Sequence, residues 1–163
     1  MGFCVGIVIV ILLYLFLSHL LSYSILKKRI LTRQEWGINI CCGNTDGGGI
    51  NADIIKHKNV PNFVLIKNIY NLPFGDQQFE TVLSSHTIEH VEDPEKFFRE
   101  LKRIGKKVLI VIPPLWDVTA ALNVFEHKFI FLSFKKEHTH LPPFIKLPLA
   151  SFIHKNFGQR LKA

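Results

Sequence analysis

The chain has 163 residues, a formal net charge of +7 and a hydrophobic fraction of 48%. Once an apolar first segment is set aside, this length leaves room for one domain. Its three cysteines offer neither a disulfide framework nor a zinc signature, which excludes disulfide-stabilised secreted folds and zinc fingers. The positive charge suits either nucleic acid or an anionic membrane surface. Because an apolar segment is present, we assign the charge to a membrane and expect no nucleic-acid partner.

Residues 1–26 are predicted to be a transmembrane anchor. They contain no Asp, Glu, Lys or Arg, and about 20 helical residues are enough to cross the ~30 Å hydrocarbon layer. A cleaved signal peptide is the alternative. The sequence has no basic stretch before the apolar run and no small-x-small cleavage site after it, so we expect the segment to be retained.

Basic residues directly after the apolar run indicate the orientation of the anchor. Lys27, Lys28, Arg29 and Arg33 lie in the predicted juxtamembrane linker, residues 27–35. The positive-inside tendency then places the rest of the chain in the cytosol. We therefore expect a single-pass membrane protein with a cytosolic C-terminal domain.

Residues 36–134 alternate between strand and helix patterns. A helix is predicted from Pro94, capped by Asp93 and ended by Gly105, with apolar positions at helical spacing. Strands that alternate with crossover helices predict an α/β fold with an open parallel sheet, whose ligands bind at the carboxyl ends of the strands. The predicted strands cover residues 38–42, 50–55, 63–66, 79–83 and 107–112.

The strand–helix alternation is lost after residue 115. Residues 116–125 are predicted to be helical, and residues 129–134 to be either a strand or a membrane-facing segment. Residues 135–163 form a basic apolar tail with no acidic residue after Glu137. This composition fits a segment on an anionic interface as well as an ordinary tail that covers the core.

Three stretches together resemble the class I S-adenosylmethionine (SAM)-dependent methyltransferases, in particular the small type 11 group. They are Ile38-Asn39-Ile40-Cys41-Cys42-Gly43-Asn44, the block from Leu72-Pro73-Phe74 to Ser85-His86-Thr87-Ile88-Glu89-His90, and Val108-Leu109-Ile110-Val111-Ile112-Pro113-Pro114. The resemblance implies a Rossmann-like open parallel sheet, an abbreviated class I methyltransferase fold, here preceded by one transmembrane helix. It also implies SAM as the cofactor.

The resemblance further implies which residues hold that cofactor. In the glycine-rich loop of the family, Cys41 and Thr45 stand here in place of two of the three glycines. The resemblance implies that Asp53 accepts hydrogen bonds from both ribose hydroxyls and that Asn68 lies beside the adenine amino group. The residues after the fourth strand would line the sulfonium side. The implied cofactor contacts are Asn39, Cys41, Cys42, Gly43, Asp53, Asn68, Ser85 and His86.

Catalytic residues are less well marked. His86 and Glu126 are candidates to assist deprotonation of the acceptor, whereas His90 is interpreted as structural. His138 and His140 have a spacing that a metal could use on a strand, but no further ligand accompanies them. We therefore predict no metal site.

The favoured function is a membrane-anchored SAM-dependent methyltransferase that acts on a small-molecule, lipid or lipid-linked acceptor. The missing glycines leave one alternative open, an inactive methyltransferase-like membrane protein with a binding or scaffolding role. A nicotinamide-binding Rossmann protein fits less well, because no G-x-G-x-x-G motif opens a helix. The acceptor atom, the membrane and the oligomeric state are left open.

Overall fold

A six-stranded sheet lies at the centre of the computed structural model, which describes residues 2–57, 59–148, 150 and 152. Its strand order is β3-β2-β1-β4-β5-β7, and all neighbouring strands are parallel except β7, which pairs antiparallel with β5. The predicted open parallel sheet is thus confirmed, with one antiparallel edge strand that was not predicted. The strands are β1 (Trp36–Ile40), β2 (Gly48–Asp53), β3 (Phe63–Leu65), β4 (Phe79–Ser85), β5 (Gly105–Val111) and β7 (Glu137–His138).

The connection between β1 and β2 is unusually short for a parallel pair. Residues 41–47 form no helix and return directly alongside β1, whereas parallel neighbours are usually joined by a dozen or more residues. The return is tight, since a Cβ on Gly49 would lie 2.2 Å from the carbonyl oxygen of Trp36. The glycine run therefore allows close approach of two backbones, which any side chain at Gly49 would prevent.

Helix α3 (Pro94–Ile104) covers one face of the sheet. Its cap is as predicted, because the Asp93 side chain accepts a hydrogen bond from the backbone nitrogen of Lys96 at 2.8 Å. The apolar side of α3 packs into the main core against alternate residues of the central strands. Members of this core include Ile38, Ile40, Val82, Ile110, Phe97, Leu101 and Ile104.

The N-terminal helix covers the other face. It runs from α1 (Gly2–His19) through a π-helical stretch (Leu20–Leu26) into α2 (Lys27–Thr32). Ile30 and Leu31 of α2 are buried in a second apolar cluster, and the sheet contributes the rest of it: Trp36, Leu83, Leu109 and Val111. Part of the predicted linker is thus a helix packed on the sheet, although the proposed domain boundaries themselves stay predictions.

The segment after β5 is mostly irregular. The helix predicted over residues 116–125 is confined to α4 (Val118–Ala121), with Asp117 as its cap. Strand β6 (Phe129–Phe131) pairs antiparallel with β8 (Phe144–Lys146) in a separate two-stranded sheet. The prediction for the tail, residues 135–163, falls partly on residues 149, 151 and 153–163, which lie outside the described residues.

Candidate functional site

The carboxyl ends of β1, β2 and β4 place the predicted cofactor residues along one edge of the sheet. The Cys41–Gly43 turn follows β1, Asp53 ends β2 and Ser85 ends β4. Strand β1 lies between the other two, with Ile40 opposite both Ala52 and Ser84. The sequence therefore predicted a set of residues that the fold brings to neighbouring strand ends.

Asp53 ties the loop after β1 to the end of β2. One carboxylate oxygen accepts a hydrogen bond from the backbone nitrogen of Gly43 at 2.8 Å, and the other accepts from the nitrogen of Ile54 at 2.7 Å. A carboxylate has about four acceptor positions, so these bonds leave capacity for a ligand hydroxyl. His57 also lies close, with Nε2 3.5 Å from the carboxylate.

The loop after β1 has a left-handed backbone at two positions. Cys41 and Gly43 both have φ of 55°, in the left-handed region that favours glycine. A Cβ added to Gly43 would meet no atom within 4 Å, so glycine is required there for its conformation and the space beside it is open. Cys41 adopts the same conformation with a side chain, which costs roughly 1 kcal/mol or more.

Both cysteine thiols of this loop are protonated near neutral pH. Burial, the Asp53 carboxylate and the neighbouring Cys42 raise the pKa of Cys41 far above its usual value. Burial and Asp53 also raise the pKa of Cys42, to about 11. Because the thiolate, not the thiol, is the nucleophile, these shifts disfavour covalent catalysis by either cysteine.

Three buried polar atoms near this edge lack a hydrogen-bond partner among the described residues. They are Oδ1 of Asn39 and the hydroxyl oxygens of Ser84 and Ser85. The Asn39 amide nitrogen is used, because it donates to the carbonyl of Thr45 at 3.1 Å and holds the loop closed. Unpaired buried polar atoms are costly. Asn39 and Ser85 lie on the sheet face towards the N-terminal helix, whereas Ser84 lies on the α3 face.

Asn68 lies apart from this group, in the exposed turn beyond β3 at the edge of the sheet. Its side-chain oxygen caps that turn by accepting from the nitrogen of Tyr70 at 2.9 Å. The amide nitrogen of Asn68 is a donor, whereas the implied adenine contact needs an acceptor for the adenine amino group. The capping bond therefore competes with the role that the resemblance implies.

His86 lies between a buried carboxylate and a buried amine. Its Nδ1 is 3.3 Å from Oε1 of Glu89, and its Nε2 is 3.1 Å from Nζ of Lys136. The φ of His86 is 53°, and uncommon backbone conformations of this kind are often found at functional sites. These neighbours fit a neutral ring that carries its proton on Nδ1 and accepts from Lys136.

Burial controls the charges of this group. It lowers the pKa of His86, although Glu89 opposes the shift. It also lowers the pKa of Lys136, to about 8. For Glu89, burial alone would raise the pKa, but the interactions with His86, His90 and His127 outweigh it, and the pKa falls to about 2. Glu89 is therefore an anion surrounded by nitrogen bases.

The N-terminal helix contacts the same group. Ser22, in the π-helical stretch, accepts a hydrogen bond from Nζ of Lys136 at 2.8 Å. The ring of Tyr23 packs edge-on against His86, with ring centroids 5.4 Å apart. π-helical turns are frequent at functional sites, and this one positions both side chains at the end of β4.

Glu126, the other catalytic candidate from the sequence, has different partners. Its carboxylate accepts from the side chain of Asn123 at 3.0 Å, and its backbone carbonyl lies 2.9 Å from Nδ1 of His90. The residue next to His86 is instead Glu89. The His86-x-x-Glu89 spacing was a usable signal for it, whereas nothing local in the sequence marks Lys136 or Ser22.

This arrangement of strands and loops agrees with a family match. Residues 31–111 match the family described as "Methyltransferase domain". This segment, just under half of the chain, is similar to a methyltransferase domain. Its ends differ from the predicted range of residues 36–134: the matched segment takes in the end of α2 and stops at the end of β5.

Two curated proteins from Rauvolfia serpentina are similar to short parts of the chain. Ajmaline N-methyltransferase is 43% identical over 42 residues, and norajmaline N-methyltransferase is 51% identical over 35 residues. The matched parts are 26% and 22% of this chain. They are only 14% and 12% of the length of those relatives. The matches therefore concern a short segment and not a whole enzyme.

Among solved structures, a SAM-dependent methyltransferase from Thermotoga maritima is similar to this chain. The match has a TM-score of 0.41 and 24% identity, and it covers 62% of this chain and 53% of the other. The family match and the strand order agree with a methyltransferase fold for this part of the chain.

Proposed function

We propose that the protein is a SAM-dependent methyltransferase that works at a membrane surface. The observation that carries the proposal is the loop after β1, whose Gly43 has a left-handed backbone, open space beside it and a hydrogen bond to Asp53. Loops of this kind at the carboxyl ends of parallel strands bind nucleotide-like ligands. The family match over residues 31–111 gives the same class of activity.

The residues at this edge fit SAM chemically. Asp53 has acceptor capacity for ribose hydroxyls, and Asn39 and Ser85 have unpaired buried oxygens for polar groups of the cofactor. Backbone at Cys41–Gly43 would approach the cofactor closely, as the glycine-rich loops of the resembling family do. Adenine lies beside Asn68 in this proposal. The side-chain oxygen of Asn68 must then release the backbone nitrogen of Tyr70 before it accepts from the adenine amino group.

The proposed chemistry is direct methyl transfer to a nucleophilic atom of the acceptor. When bound, SAM supplies an electrophilic methyl group together with its own leaving group, so the main task of the protein is alignment. His86 is placed to take a proton from the acceptor through Nε2, once the acceptor has displaced the amine of Lys136. Glu89 then stabilises the positive ring from the Nδ1 side.

Membrane association is supported by the exposed apolar surface of the N-terminal helix. The helix Gly2–Thr32 is long and apolar enough to cross a membrane, a criterion that a signal sequence or a buried helix also meets. Only 6% of its most apolar stretch is buried, which argues against a core helix. Such a large exposed apolar surface requires a membrane or a partner.

The depth of the domain follows from a contact halfway along α1. The hydroxyl of Tyr14 donates to the carbonyl of Trp116 at 2.9 Å. The contact holds the loop that carries Trp116 against the apolar helix, and this loop therefore lies at the interface in this proposal. The exposed Phe125 and Phe134 on the same stretch of chain suit that position.

The proposed acceptor is an amphiphile with an anionic headgroup. A cavity of about 580 Å³ lies between the N-terminal helix and β7. Its lining has four basic side chains and one acidic one, together with two apolar residues: Arg29, Arg33, Lys135, Lys136, Glu137, Leu26 and Ile30. Lys136 connects this cavity to His86, so a lipid or lipid-linked acceptor held there would lie beside the proposed proton acceptor.

Isothermal titration of the full chain in detergent micelles tests cofactor binding. We expect both SAM and its demethylated product to bind at one site per chain. Transfer of radiolabelled methyl from SAM into vesicles of anionic lipid, but not of phosphatidylcholine alone, would support the acceptor class. If neither SAM nor its demethylated product binds, the proposed enzyme activity is refuted.

Membrane insertion has its own test. Leu12→Arg places a charge in the middle of α1, where it should abolish co-sedimentation with vesicles. Phe134→Arg is the matched control, because Phe134 is 71% exposed and lies outside the helix; it should weaken binding only partly. Equal effects of the two variants would contradict a membrane-inserted α1.

A further inference from the structure

A cluster of three metal-ligand side chains lies beside the proposed active site. Glu89, His90 and His127 each offer one ligand atom, and these atoms all lie within 4.8 Å of one another. Tetrahedral ligands at about 2.0–2.1 Å from a metal would be about 3.4 Å apart. Small side-chain rotations are therefore enough to bring the three atoms to binding distance.

Backbone hydrogen bonds hold the two segments of this cluster together. The carbonyl of Glu89 accepts from the nitrogens of Lys128 at 2.8 Å and Phe129 at 3.3 Å. The nitrogen of His127 itself donates to the carbonyl of Asn123 at 2.8 Å. The loop after β4 and the segment before β6 are therefore fixed against each other, so the two parts of the cluster lie close together before any metal arrives.

The imidazole ring of His90 is oriented in the way that metal ligands usually are, because its Nδ1 lies 2.9 Å from the carbonyl oxygen of Glu126. A backbone carbonyl that takes the proton of one ring nitrogen leaves the other nitrogen free as a ligand. The rings of His90 and His127 lie nearly perpendicular, at 78°, with centroids 4.8 Å apart.

The carboxylate of Glu89 supplies independent evidence for a cation. Its side chain is only 1% exposed, and neither oxygen accepts a hydrogen bond from the described residues. Nδ1 of His86 lies 3.3 Å from Oε1. Burying a carboxylate is costly unless hydrogen bonds and opposite charges compensate for the lost water. A divalent cation between Glu89 and the two histidines would add such a charge.

We propose that Glu89, His90 and His127 form a binding site for a divalent transition-metal ion, with Zn²⁺ as the best match. Two imidazoles and one carboxylate suit Zn²⁺ better than Mg²⁺ or Ca²⁺, which prefer oxygen ligands. Three protein ligands also leave a coordination position for water or a substrate atom, as in catalytic zinc sites. In this proposal His90 is a metal ligand, whereas the sequence predicted a structural role for it and no metal site.

Metal binding can be tested without the proposed methyl transfer. Equilibrium dialysis of the metal-free full chain in detergent against Zn²⁺ should give one tightly bound ion per chain. SAM is absent from this experiment, so its result does not depend on the proposed enzyme activity. Failure to retain Zn²⁺, or retention of Mg²⁺ with equal affinity, would overturn the proposal.

Variants identify the ligands. Glu89→Gln and His127→Asn should each weaken Zn²⁺ binding at least about tenfold. Mutation of residues that only hydrogen-bond to metal ligands already costs about that much affinity. The matched control is the double variant His138→Gln, His140→Gln, which removes the other histidine pair and should leave the affinity unchanged. A loss of binding only in the control would assign the ion to residues 138–140 and refute this site.

Spectroscopy of the unmodified chain covers the case in which a variant does not fold. Co²⁺ in place of Zn²⁺ should give the intense visible absorption of a tetrahedral nitrogen–oxygen site, without a thiolate band. The weak spectrum of six-coordinate, water-bound Co²⁺ would contradict the proposal. Thermal unfolding with and without Zn²⁺ should show an increase in the midpoint, because the ion binds the folded chain.

Discussion

The carboxylate of Asp53 accepts a hydrogen bond from the backbone nitrogen of Gly43 at 2.8 Å and so joins the turn after β1 to the end of β2. The two residues are ten positions apart in the chain. Their bond fixes the loop that would face the cofactor. A single acidic residue therefore both shapes the proposed binding loop and provides acceptor oxygens to the ligand.

Asp53→Asn should weaken SAM binding by about tenfold, because the amide keeps the shape but loses the charge and one acceptor atom. It should also lower the free energy of unfolding by about 1–2 kcal/mol, since bonds to charged groups contribute about 1.5–3 kcal/mol each. Titration calorimetry and urea unfolding measure the two effects. Asp76→Asn is the control, because Asp76 is 78% exposed in its pair with Arg103 and such pairs contribute little.

Gly43→Ala should lower the free energy of unfolding by about 1–2 kcal/mol through backbone strain alone. The φ of Gly43 is 55°, and no atom lies within 4 Å of the added Cβ. Gly75→Ala, whose Cβ would lie 3.7 Å from the Gln78 side chain, should change stability by less than about 0.5 kcal/mol. If urea unfolding shows equal losses in the free energy of unfolding for the two variants, the left-handed backbone at Gly43 does not require glycine.

Phe97→Ala should lower the free energy of unfolding by about 3–5 kcal/mol, because it leaves a cavity in the main core. The side chain of Phe97 is fully buried between α3 and the sheet. Its neighbour Phe98 packs only at the edge of that core. Phe98→Ala should therefore cost less than half as much in the same urea titration, and the reverse order would contradict the placement of α3.

Glu100 is expected to make the free energy of unfolding depend on pH in the acidic range. Its hydrogen bonds with Arg103 lower the pKa of Glu100 below the usual 4.5, and its side chain also accepts from the nitrogen of Leu72 at 2.6 Å. A carboxyl whose pKa is lowered by folding stabilises the protein above its unfolded-state pKa. That contribution is lost as the pH falls through the folded-state pKa.

Glu100→Gln should therefore destabilise the protein at pH 7 and flatten the loss of stability below about pH 4.5. Urea midpoints at pH 7, 4.5 and 3 measure both effects. Glu95→Gln is the matched control on the same helix, because its pair with Arg99 is exposed on both sides. A variant curve parallel to that of the unmodified chain would show that Glu100 does not carry the acid dependence.

Local patterns predicted the parts of the fold that depend on local chemistry. Asp93 and Pro94 begin α3 because a cap and a fixed φ act within one turn. Apolar runs gave β1, β4 and β5 to within a few residues. Strand β7 was missed because it has only two residues, Glu137 and His138, too few for a periodic pattern. Its position depends on pairing with β5.

The candidate site was predictable only in part, for a similar reason. The resemblance identified Gly43, Asp53 and His86, which lie at or just after the ends of strands. It did not mark Lys136, since the contact of Lys136 with Ser22 joins residues 114 positions apart. The metal-ligand cluster likewise needs His127 next to Glu89, and backbone bonds between two distant loops set that distance.

The sequence by itself determined the order of the five parallel strands and α3, the apolar N-terminal helix and the polar residues at the strand ends, because periodicity and turn chemistry act over a few residues. Only the tertiary structure decided that the N-terminal helix packs against β4 and β5 and brings Ser22 and Tyr23 to His86. It also decided which carboxylate stands beside His86. Those arrangements depend on burial of surfaces far apart in the chain, which no local pattern encodes.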